Sequence, residues 1–173
     1  MTSYLWTRNL REIYDKSVDL YRGGNRDSES YFTGEEKSFL SSIGLRPINL
    51  YDYAEDMVSA GEPDWNTVLL IIATRRDYFL HHQHAVMQTT VTDATELPPK
   101  TEELDGIPWL PRIIKKATCF LRGGLCHEIM YACGGDRRFL KEHDIHPADF
   151  LRAIWASGGD QAKMLAFVKS SGK

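Results

Sequence analysis

A chain of 173 residues with 42% hydrophobic content is long enough to bury a core without disulfides or a structural metal. Its formal charge of -3 withholds the attraction to phosphate backbones on which nucleic-acid binders depend, so nucleic acid is not an expected partner. The N-terminus meets Arg8 and Arg11 before any apolar run of signal-peptide length, and the longest apolar stretch, Val68 to Ala73, is too short to span a bilayer, so no membrane association is expected.

The first predicted element is a helix carrying Leu10, Ile13 and Lys16, closed by Arg22-Gly23-Gly24. The first glycine is expected in the left-handed conformation that ends a helix without steric cost, with phosphate cradling as the alternative use of the pair. Ser28-Glu-Ser-Tyr-Phe32 reads as a short extended segment. Thr33-Gly-Glu-Glu36 fits a capping box and opens a second helix through Phe39-Leu40. A third helix starts at Pro47, where a first-turn proline sacrifices no helical bond.

A fourth helix is expected from Asn66 to about Gln88, placing His81 and His84 on one side at i,i+3 spacing. Two histidines do not close a metal site, and the spacing reads as a solvated surface. The threonines and prolines of Thr89 to Lys100 then read as a polar, extended linker.

Shifting the chain by one hundred positions superposes this series on the remainder without a gap. Leu10 falls on Leu110, Ile13 on Ile113, Lys16 on Lys116, Arg22-Gly23-Gly24 on Arg122-Gly123-Gly124, Tyr31 on Tyr131, Gly34 on Gly134, Phe39-Leu40 on Phe139-Leu140 and Pro47 on Pro147. Chance in a window of about fifty residues of average composition gives roughly three identities. The predicted architecture is therefore mainly α, with two pseudo-symmetric helical repeats of about 70 to 75 residues. Residues 1–88 form a diverged first repeat, 89–105 a linker and 106–173 the second repeat, together one compact pseudo-dimeric domain.

In the second repeat, Leu110, Ile113, Ile114, Ala117, Phe120 and Leu121 line one helical face. Glu128-Ile-Met-Tyr-Ala132 faces Ser28–Phe32 as a candidate partner, giving a short two-stranded element between the repeats. The third helix buries Phe150, Leu151 and Ile154, and the fourth covers Gln161 to Ser170.

The run Leu97-Pro-Pro-Lys-Thr-Glu-Glu-Leu-Asp-Gly-Ile-Pro-Trp-Leu-Pro-Arg112, followed by Glu128, Tyr131, Cys133, Asp136, Phe139-Leu140 and Asp144-Ile145, resembles a bacterial family of unknown function, DUF5069. The resemblance is clearest over residues 96–171 and reaches residues 5–75 through the internal repeat. His127, Ile129 and Gly134-Gly135 depart from the family pattern. The resemblance implies a fold unit and marks positions, and it implies no activity or cofactor.

Cys119, Cys126 and Cys133 form an odd set without paired spacing, expected as free thiols in a reducing cytoplasm. Cys133 occupies the slot that Thr33 fills in the first repeat. It is expected at a helix N-terminus beside Arg137 and Arg138, as a small buried side chain or as a reactive thiol. Cys126, His127, Glu128 and Cys133 are metal-ligand types without a recognised ligand spacing, so no metal site is assigned.

Two functions follow. One is a non-catalytic binding or assembly module for a small anionic ligand or a protein partner, using Arg137, Arg138, Tyr131, Asp136 and Trp109, in a monomer that acts as a fused pseudo-dimer. The other is a small enzyme with Cys133 as nucleophile or ligand and Glu128 or His127 as acid or base.

Overall fold

The structure, a computed structural model, describes residues 4–126 and 128–172. Helix α1 (Trp6–Arg22) turns Leu10, Ile13, Tyr14, Val18 and Tyr21 inward. α2 (Gly34–Ser42) opens with the expected reciprocal cap: the Glu36 amide donates to Thr33 Oγ1 at 3.2 Å, and the Thr33 amide donates to Glu36 Oε2 at 2.7 Å. α3 (Pro47–Ala60) packs on α1. α4 (Trp65–Asp77) is capped by Asp64, which accepts from the Thr67 amide at 2.8 Å.

α4 does not run to Gln88. It passes through one π-helical turn, Tyr78–His82, after which His84 and Ala85 adopt positive φ of 52° and 59°. A right-handed helix cannot contain such residues, so the i,i+3 pairing of His81 and His84 is lost. His82 instead lies against Tyr78, with ring centroids 4.5 Å apart.

The two strands also lie elsewhere than expected. β1 (Glu103–Leu104) and β2 (Ile107–Pro108) pair antiparallel through Asp105 and Gly106, at φ 53° and 77°. Two successive positive φ values are what an Asp-Gly hairpin turn requires. Ser28–Ser30 is one turn of 3-10 helix capped by Asp27, and Glu128 to Ala132 is irregular. The second of these segments is met instead by α3: Tyr53 Oη donates to the Tyr131 carbonyl at 3.2 Å.

Helices α5 (Leu110–Arg122), α6 (Gly134–Glu142), α7 (Pro147–Ser157) and α8 (Gln161–Ser171) complete the fold. Gly123 closes α5 in the left-handed conformation, φ 73°. After α1 it is the second glycine, Gly24 at φ 91°, that does so, because Gly23 stays right-handed and still donates to the Asp19 carbonyl.

The buried apolar side chains form one cluster drawn from the whole chain, including Leu10, Leu40, Leu50 and Ile71 as well as Leu110, Phe139, Phe150 and Met164. α5 and α8 both pack on α7, and α4 packs against α7 and α5. Among the described residues, no helix is long and apolar enough to cross a membrane.

Candidate functional site

The site begins with a lysine that the α5 periodicity places on the buried face. Lys116 is only 3% exposed and Asp136, in the first turn of α6, is fully enclosed. An isolated buried charge is costly, so both must be paired. Lys116 Nζ lies 2.5 Å from Asp136 Oδ2, which also accepts the Ala132 amide at 3.0 Å, while Oδ1 accepts the Trp109 indole N–H at 2.9 Å. Gly135 makes room for that indole: a Cβ there would lie 2.7 Å from the Trp109 ring.

Lys116 has a second contact, to Cys133 Sγ at 3.2 Å. Cys133 is the N-cap of α6, but its side chain makes no capping bond, and it is half-buried. The thiol therefore stands between an ion pair below and open space above.

That space is a cleft of about 490 Å³. α3 contributes Asp52, Glu55 and Asp56, while α5 and the residues before it contribute Lys100, Trp109, Arg112 and Lys116. Glu128 and Cys133 line it as well. Lys100 Nζ and Arg112 Cζ lie 6.0 and 5.9 Å from the Trp109 ring centroid, the outer range of a cation–π contact.

The three α3 carboxylates share one helix face at i, i+3 and i+4 and differ in their partners. Asp56 receives Arg137 Nη1 at 2.6 Å and Glu55 receives the Tyr21 hydroxyl at 2.7 Å. Among the described residues Asp52 has neither a hydrogen bond nor an ion pair. Burial, and then the charges of Glu55 and Asp56, push its carboxyl up to about 7. Sequence reading had missed Asp52, although its signal, an acidic i, i+3, i+4 stripe on a predicted helix, was present.

The other anticipated site residues fall into distinct places. Arg137 is buried and committed to Asp56, to the Ala132 carbonyl at 2.8 Å and to Glu62 at 3.3 Å, so its fork ties α6 to the first half of the chain. Arg138 is exposed. Tyr131 is enclosed, stacked on Phe120 and donating to the Pro147 carbonyl at 2.8 Å, and burial raises its hydroxyl well above the ordinary range. Glu128 is exposed at the cleft, and His127 lies outside the described residues. Cys126 is half-buried and Cys119 buried. Among the described residues no group of three or more His, Cys, Asp or Glu side chains is placed to hold a metal ion.

Residues 94–173 match a family model described as a domain of unknown function, DUF5069. This stretch is similar to the DUF5069 family. The match starts just before the β hairpin and includes Trp109, Lys116, Cys133 and Asp136. The α3 carboxylates lie outside it, so the cleft is closed on one side by the matched residues and on the other by residues that precede them. Neither a curated protein nor a solved structure matches the chain.

Proposed function

We propose that the chain is a non-catalytic binding module whose cleft takes a small ligand bearing an anionic group and an amine. The observation that carries this reading is Asp52, a half-buried carboxyl without a protein partner, held near 7 by burial and by two neighbouring carboxylates. An ammonium group supplies the counter-charge that Asp52 lacks, and Arg112 and Lys100 offer cations to the anionic end. A volume of about 490 Å³ suits a small metabolite.

The test is titration calorimetry of the untagged chain with small zwitterions, β-alanine and taurine among them. Ionisation of Asp52 favours the ammonium, so affinity should rise between about pH 6 and pH 8. Asp52→Asn and Arg112→Gln should each weaken binding by about tenfold. Binding that ignores both substitutions, or no saturable heat from any zwitterion, refutes the reading.

The scaffold is read as two fused copies of one module, forming a monomer with one site and hence one ligand per chain. In support, Lys16 pairs with Glu36 at 2.7 Å where Lys116 pairs with Asp136 at 2.5 Å, one hundred positions on. Three free cysteines support a reducing, cytoplasmic address.

A second reading rests on the 3.2 Å contact between Lys116 and Cys133: a thiol beside an ammonium at a helix N-terminus is the setting of a nucleophile. Iodoacetamide followed by peptide mass mapping should then modify Cys133 well ahead of buried Cys119. Equal, slow labelling of all three thiols removes this alternative.

A further inference from the structure

Among the described residues Arg75 is the largest side chain that the fold encloses, at 1% exposure. Its guanidinium meets no carboxylate among the described residues. Nη1 donates to Gln83 Oε1 at 2.9 Å, Nη2 reaches Met87 Sδ at 3.3 Å, and the Phe79 ring centroid lies 5.4 Å from Cζ. A thioether is a weak acceptor and a side-chain amide is neutral, so the charge has no counter-ion. Burial, opposed in part by Tyr78 and aided by the charge of nearby Arg46, lowers the Arg75 pKa to about 10. Arg46 makes its own contact with the same stretch of chain, donating to the Gln88 carbonyl at 3.3 Å.

That stretch, residues 83–92, lies across Arg75 as a strap. Gln83 Nε2 fastens one end to the Arg122 carbonyl at 3.1 Å, and the Thr92 amide fastens the other to the Gly124 carbonyl at 2.7 Å. Between the anchors, Val86 points outward at 68% exposure while Met87 points in. The strap leaves a π-helical turn and carries two consecutive non-glycine residues at positive φ, His84 and Ala85. Both are features that persist where the surroundings hold them and that recur at functional sites. Gly123 preserves the space beneath, since a Cβ there would lie 2.7 Å from Arg75 Nη2.

We propose that Arg75 and Arg46 form a binding site for a phosphate dianion, covered by the 83–92 strap, with the Met87 side chain as the occupant that the anion displaces. Two guanidinium groups without carboxylates call for a divalent anion, and tetrahedral phosphate can accept from both forks. The site is distinct from the zwitterion cleft and shares no residue with it.

The probe is inorganic phosphate added to the full chain at constant ionic strength, with chloride as control. It is followed by methyl NMR of ¹³C-methionine-labelled protein and by calorimetry. The expected result is a saturable shift of the Met87 methyl resonance with phosphate and none with chloride. Arg46→Gln and Arg75→Met should weaken binding by about tenfold or more. Met87→Ala should tighten it, which separates a lost site from a lost fold. A Met87 resonance that responds equally to both salts, or phosphate affinity unchanged in Arg46→Gln and Met87→Ala, overturns the proposal.

Discussion

Lys116→Ala is expected to destabilise the protein by about 3 to 5 kcal/mol, lowering the melting temperature by roughly 6 to 20 °C in a chain of this size. The substitution leaves Asp136 fully enclosed with two neutral donors, the Ala132 amide and the Trp109 indole, and no cation. The penalty is that of an uncompensated buried charge, which exceeds what the intact pair contributes.

The control is built into the chain. Lys16 makes the same kind of bond to Glu36, but its side chain is 39% exposed. Lys16→Ala should therefore cost no more than about 1 kcal/mol. Differential scanning calorimetry of the two variants decides it, and equal losses would show that the Lys116 ammonium is not the feature that matters.

Asp52→Asn is expected to stabilise the protein at alkaline pH, by about 1 to 2 kcal/mol. A carboxyl raised from 3.8 to about 7 binds its proton more tightly in the folded than in the unfolded chain. The wild type should therefore lose stability as pH rises from about 4 through about 7 and hold level above it. A fully sealed group would give about 4 kcal/mol, and solvent at the open edge of the cleft screens this to the smaller figure.

Asparagine mimics the protonated acid and removes the dependence. Melting curves for the two proteins should coincide near pH 4 and separate by roughly 2 to 8 °C near pH 8. Parallel curves at every pH would rule out Asp52 as the titrating group. The same substitution weakens the proposed ligand, so the residue exchanges stability for recognition.

Local signals carried most of the helical architecture. Threonine three residues before Glu36, prolines at 47 and 147 and glycines after Arg22 and Arg122 each act within one turn, and the structure places helix ends at all of them. Signals that depend on distant packing were less legible. Nothing near Ser28 or Glu128 says that these segments will form a 3-10 turn and an irregular stretch, or that Tyr53 will take the Tyr131 carbonyl. The hairpin turn carries a local signal, Asp105-Gly106, that the sequence reading passed over in favour of Glu128–Ala132. At the site, Cys133 was visible as a helix cap, whereas the long-range contacts that bury Lys116 but not Lys16, and give Asp56 but not Asp52 an arginine partner, were not.

The seat of α4 against α5 and α7 also bears on how the chain folds. A helix from the first half, carrying Val68, Ile71 and Ile72 fully inside, finds its apolar partners several dozen residues downstream. Loop-closure entropy must be met before those contacts form. During synthesis α4 emerges well before α5 and α7, so the face it presents to them is covered only once those helices have been made.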